Sequence, residues 1–199
     1  MHKSTTVIAT FALLTGIAQG KSLEPSQRTF TAAVQHYLRD RGDLCLGKFN
    51  WPIDITDQDR QAGAADAIQM PVLERLGLVS SSMLSPAVIR YDLTDTGKKF
   101  YLQKTMTGLG RHEPPASHRG DFCVAKLSLD KVVSWEPATV DGRQQTTVTY
   151  TYKIAAADWT RDPEFQRVFP RVKLVVEGAG KLELKESFRL AGQNWTPFP

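Results

Sequence analysis

Past the first twenty residues, three histidines, two cysteines and a scatter of aspartates are the side chains with chemical potential, and their spacing excludes most reactions. His112 and His118 stand six apart with Pro114 and Pro115 between them. Two zinc ligands on one helix face need to be about one turn apart, so this is not that arrangement. His36 sits beside Tyr37 in a helix-patterned segment, which reads as a helix-surface or core-edge position. No Gly-x-Ser-x-Gly elbow presents a nucleophile. Asp54, Asp57 and Asp59 have the residue types for acid–base work, yet the same types cap helices and solvate turns. Gly178-Ala179-Gly180 reads as a hairpin turn rather than a phosphate loop. The sequence calls for no catalytic residue, no metal and no cofactor.

Cys45 and Cys123 are expected to form a disulfide, because an exported chain would otherwise leave two thiols in an oxidising compartment. Their surroundings echo each other: Arg41-Gly42-Asp43-Leu44-Cys45-Leu46-Gly47-Lys48-Phe49 and Arg119-Gly120-Asp121-Phe122-Cys123-Val124-Ala125-Lys126-Leu127. The echo predicts two strands in equivalent settings, with Cys45, Gly47 and Phe49 on one face and Cys123, Ala125 and Leu127 on the same face of theirs; if the strands are neighbours, the sulfurs meet there, and Gly47 and Ala125 leave room for the bridge. Arg-Gly-Asp is also an adhesion tripeptide by composition, but buried strand entries with a turn glycine account for it. A second set with binding potential is aromatic. Trp135, Tyr150, Tyr152 and Trp159 fall on or near one predicted hairpin, a pattern that suits a groove for a peptide or glycan, or a sheet face packed under helix 162–169.

The elements that must position these residues follow from periodicity. Residues 1–20 carry Lys3, the apolar run Val7–Leu14 and a small-residue site at Ala18-Gln19-Gly20, and read as a removable export signal. Its removal would take the formal net charge from +4 to +3, a solvated balance without a basic run. No later stretch approaches the roughly 20 apolar residues of a membrane-spanning helix. Phe30, Val34, Tyr37 and Leu38 predict a first helix between Ser26 and Gly42. Residues 51–55 read as an edge strand, 57–68 as a second helix, and 71–76, opened by Pro71, as a third. Thr105–His118 reads as a connecting loop. Beyond it, Phe122–Trp135 and Thr146–Ile154 predict a hairpin about Asp141-Gly142. Asp162-Pro163 opens a short helix, and Val172–Val176 with Leu182–Leu184 predict a second hairpin.

Val72-Leu73-Glu74-Arg75-Leu76-Gly77-Leu78-Val79, followed by Tyr91-Asp92-Leu93-Thr94-Asp95-Thr96-Gly97, resembles the helix-and-wing half of bacterial winged-helix domains over residues 72–100. In that family the helix before the wing reads a DNA major groove. Here that helix offers only Arg75 as a base-reading side chain, where direct readout needs several. The resemblance therefore implies a scaffold.

The expected fold is α+β: a signal (1–20), a helical, winged-helix-like half (21–104), a connecting loop (105–120) and an antiparallel sheet of two β-hairpins (121–199), tied by Cys45–Cys123. The expected function is that of an exported, periplasmic or secreted, non-enzymatic protein that binds a protein partner, of accessory, inhibitor or immunity type. An exported hydrolase acting on cell-wall or carbohydrate material is the alternative, and a nucleic-acid binder using the wing the third reading.

Overall fold

Ser26 accepts a hydrogen bond from the backbone N–H of Thr29 and so opens α1 (Gln27–Arg41), whose stripe Phe30, Ala33, Val34, Tyr37 and Leu38 is buried. The helix stops at Gly42, whose N–H donates to the Leu38 carbonyl at 2.8 Å. A β-carbon there would lie 2.3 Å from that oxygen and 2.7 Å from the Leu127 carbonyl. Glycine is what lets the helix end pass this close to the sheet.

The structure, a computed structural model, describes residues 24–107 and 117–198; the expected signal (1–20), His112 and the side chain of His118 lie outside the described residues. Within them the chain is mixed α+β, and every strand pair is antiparallel. After α1 come β1 (Asp43–Cys45), β2 (Ile53–Thr56), α2 (Asp57–Ala62), α3 (Ala65–Arg75), β3 (Val79–Ser85), β4 (Val88–Leu93), α4 (Asp95–Lys98) and β5 (Tyr101–Thr107). The second part holds β6 (Ser117–Val140), β7 (Arg143–Ala156), a 3₁₀ turn (Asp158–Arg161), α5 (Pro163–Val168), α6 (Pro170–Glu177), β8 (Leu184–Ala191) and β9 (Asn194–Pro197). A small sheet has the order β2-β4-β3, and a large one runs β1-β6-β7-β8-β9 with β5 also on β6.

β6 is the spine of the molecule. Phe122 and Val124 face a first core with Leu73, Leu78, Tyr91 and Phe165, built mainly from the small sheet, α3 and α5. Leu127, Leu129 and Val132 face a second with Phe30, Tyr150, Tyr152, Phe188 and Trp195, under α1. Strict alternation would turn Val132 and Trp135 in opposite directions. Register shifts between Leu129 and Lys131 and between Val132 and Ser134 leave Asp130 and Val133 as extra residues, so Leu127, Leu129, Val132 and Trp135 oppose Ile154, Tyr152, Tyr150 and Val148. Such bulges bend the strand and curl the sheet. The hairpin to β7 turns at Asp141 and Gly142, with φ of 50° and 71°, as an Asp-Gly turn requires.

Several expected elements take other forms. Residues 172–176 are not a strand of a second hairpin but part of α6: Pro170 occupies its first turn, and Val172, Val175 and Val176 fit helical spacing as well as alternation. The second hairpin of the large sheet is β8–β9 across Gly192. The helices expected at 57–68 and 71–76 redistribute, because Gly63 in the left-handed region (φ 64°) ends α2 and α3 then runs through Pro71. The expected loop is shorter at both ends, since Thr105 pairs with Arg119 and Thr107 with Ser117. α1 packs on β6 and β9, away from the helix–hairpin unit that follows it in sequence.

Candidate functional site

The disulfide forms: Cys45 and Cys123 face each other across β1 and β6. The strand expected to continue to Phe49 ends at Cys45, because Gly47 has a φ of 71° and its side-chain position is open space, so it makes no room for the bridge. The two Arg-Gly-Asp echoes turn their aspartates inward. Asp43 pairs with Lys104 and, at 3.1 Å, with Lys126. Asp121 is buried and accepts from the backbone N–H groups of Lys48 (2.8 Å) and Phe122 (2.7 Å). Lys48 in turn pairs with Asp66, and its carbonyl accepts from the Trp51 indole at 2.9 Å. Residues 46–52 are thereby pinned against the first core, on which Leu46 and Trp51 pack.

The four aromatic residues singled out by sequence do not make one face. Tyr150 and Tyr152 are buried in the second core, and the Tyr152 hydroxyl, at the end of α6, donates to the Val175 carbonyl at 2.6 Å. Burial raises the pKa of both hydroxyls above the ordinary tyrosine range, with Glu186 adding to the rise at Tyr150. Tyr37, on α1, is pushed up in the same way by burial and then by its hydrogen bond to Glu186. Trp135 is half-buried against Phe30, ring centroids 5.3 Å apart. Trp159 belongs to the other core, edge-on to Phe100 and Phe165 at 5.2 and 5.1 Å, with its indole N–H buried and unpartnered. α5, expected to cover the tyrosines, packs on Trp159 instead, and α1 and the end of α6 take its place.

The accessible cavity lies elsewhere. A groove of about 540 Å³ runs between α1 and β9, lined by Arg28, Thr29, Ala32, Ala33, His36, Asn194, Trp195 and Thr196. That volume is in the range of ligand-binding clefts. Its floor is alanine and indole, its rim cationic and amide. β9 pairs only with β8 and is the last strand of the large sheet, so its outer edge borders the groove. His36, read as a helix-surface or core-edge residue, is exposed there, 3.7 Å from Asp40 and hydrogen-bonded to Arg39. No family model, curated protein or solved structure matches this chain.

The sequence pattern missed this groove, though a signal was present. Arg28, Ala32 and His36 recur every four residues, one shoulder away from the buried stripe of α1. Short side chains on that shoulder leave space; the missing information was that β9 returns beside it.

The helix–hairpin unit offers a different surface. Arg75 is held by Asp162 at 2.5 Å, and Arg90 by both oxygens of Asp54 at 2.7 and 2.8 Å. Those guanidinium groups hold Asp162 and Asp54 below the usual carboxylate range. Gln69 of α3 donates to the Val168 carbonyl of α5 at 3.0 Å, so α3 is partly covered. At the far end of the β3–β4 hairpin, Met83 and Leu84 stand 78% and 53% exposed. Among the described residues no cluster of His, Cys, Asp and Glu is placed to hold a metal ion, and no helix is long and apolar enough to cross a membrane.

Proposed function

We propose that this protein is exported and acts by binding another macromolecule, as an accessory, inhibitor or immunity factor does, rather than by catalysis. The observation that carries the reading is the α1–β9 groove: an apolar floor, a polar rim and a bordering strand edge. An extended partner segment laid along β9 would find main-chain hydrogen bonds from the edge and side-chain room over Ala32 and Ala33. The disulfide supports an oxidising compartment. We also read β2, α2, α3 and the β3–β4 hairpin as a winged-helix-like scaffold, supported by their order and by the pairing of β2 and β3 on either side of β4. In that reading the unit is not a DNA reader, since Arg75, its base-reading side chain, is tied to Asp162 and α3 is bonded to α5.

The test is a pull-down from a periplasmic extract with the oxidised protein, an Ala32→Trp variant that fills the groove and a Met83→Ser variant at the hairpin tip. A partner held by wild type and Met83→Ser but lost on Ala32→Trp supports the groove. Equal capture by all three, or loss on Met83→Ser alone, overturns it.

A further inference from the structure

We infer that the protein carries a second site, for a small ligand that joins one oxyanion to an apolar body. Arg143, Arg189, Leu190, Ala191, Thr196, Pro197 and Phe198 line a separate cavity of about 310 Å³ at the end of the large sheet. Its two halves differ in chemistry.

The cationic half follows from register. Arg189 lies opposite Gln145 on β7 and opposite Thr196 on β9. Residues directly opposite share a face, and so do residues two apart on one strand, so Arg143 joins Gln145 and Arg189 on the side away from α1, together with Thr196 of the edge strand, the one lining residue this cavity shares with the α1–β9 groove. No carboxylate among the described residues lies within 4 Å of either guanidinium, in contrast to Arg60, Arg75, Arg90 and Arg167, which are all paired. Arg189 is also held in place: its guanidinium carbon lies 4.7 Å from the centre of the Phe198 ring. Phe198 is fixed in turn by its N–H, which donates to the Ser187 carbonyl at 3.1 Å. A stacked guanidinium loses little freedom on binding and keeps its planar fork of donors, the geometry that suits carboxylate or phosphate oxygens. The apolar half is Leu190, Ala191, Pro197 and the exposed part of the Phe198 ring. The cavity has the size for one ring or a short chain, not for a polymer.

Two oxyanions fit this chemistry, and the test separates them. Phenyl phosphate, phenylacetate and inorganic phosphate are titrated into the oxidised full chain by calorimetry, at low and at physiological salt. Expected is saturable binding of at least one phenyl probe, at least tenfold tighter than inorganic phosphate, and weakened tenfold or more in Arg143→Gln/Arg189→Gln. Which phenyl probe binds tighter tells phosphate from carboxylate. Phe198→Ala is expected to weaken the phenyl probes and leave inorganic phosphate unchanged. Arg189→Lys, which keeps the charge and loses the fork, is expected to weaken binding nearly as far as Arg189→Gln. Absence of binding by the wild type overturns the inference, as does binding that the double variant leaves unchanged while it folds normally by circular dichroism. The Ala32→Trp variant, whose substitution lies in the other groove, is expected to bind the probes as wild type does, so failure here leaves the macromolecular reading standing and the reverse holds too.

Discussion

The two sides of β6 solve the same burial problem and leave opposite surfaces. On the helix–hairpin side, long polar side chains cross from one element to the next: Arg75 to Asp162, Lys48 to Asp66, Gln69 to the Val168 carbonyl. They fill the boundaries between elements and neutralise their own charges. On the α1 side the core is aromatic too, with Phe30 packed 5.3 Å from Trp135 and 5.2 Å from Trp195, but the boundary with β9 is set by Ala32 and Ala33. The groove exists because short side chains stand where two elements meet. Side-chain volume at element boundaries, rather than core composition, decides where this protein can hold a ligand.

The disulfide sits where the two sides join, so breaking it gives the largest expected effect. Cys45→Ser with Cys123→Ser is expected to cost about 4–5 kcal/mol on the loop-entropy model, a fall in Tm of about 10 °C or more by calorimetry. A fall under about 2 °C would mean that the junction holds without its bridge. Truncating each core in turn compares the sides directly. Phe122→Ala and Phe30→Ala are each expected to cost about 3–5 kcal/mol, both residues being fully buried. Native-state hydrogen exchange distinguishes them: Phe122→Ala loosens amides of α3, β4 and α5 first, Phe30→Ala those of β8 and β9. Identical exchange patterns would show that β6 couples the two cores into one unit.

The α1 side is also expected to carry most of the alkaline sensitivity. Tyr37 and Tyr150 have pKa values above the unfolded tyrosine value of about 10, so the folded state keeps protons that the unfolded state releases. Their contribution is complete below pH 10 and declines above it, by about 1.4 kcal/mol per pH unit for each tyrosine. Urea midpoints measured between pH 9 and 11.5 are expected to fall in this way, and Tyr37→Phe to make the slope shallower; an unchanged slope would remove Tyr37 from the account. The smallest effects belong to the surface of the helix–hairpin unit. Arg90→Ala breaks an exposed ion pair with Asp54 and is expected to leave the urea midpoint close to that of wild type, and Met83→Ser to fall within about 0.5 kcal/mol of wild type in the same urea titration.

Much of the local structure was legible along the chain. Ser26 and Gly42 bound α1, Asp141-Gly142 turns the central hairpin, Asp162 caps α5, and the matched cysteine segments are neighbouring strands. Each of these depends on a residue's own backbone preference or on hydrogen bonds within a few positions. The failures share a cause as well. Val172–Val176 satisfies both periods, and only α6 packing by Val172 into the first core selects the helix. Trp135, Tyr150, Tyr152 and Trp159 cluster in sequence, but the sheet's bulges and the course of α1 send them into two cores.

By itself the sequence determined where α1 and α5 are capped, where the central hairpin turns, that the two cysteines stand in equivalent strands, and that the charge balance has no basic run. Those are properties of short segments and of totals. Only the tertiary structure decided which surface is open. The groove joins residues 28–36 to 194–196, and the arginine cavity joins Arg143 to residues 189–198, so both depend on which strand lies beside which and on the volume left between them. Long-range packing sets both of these, and no local pattern encodes the gap.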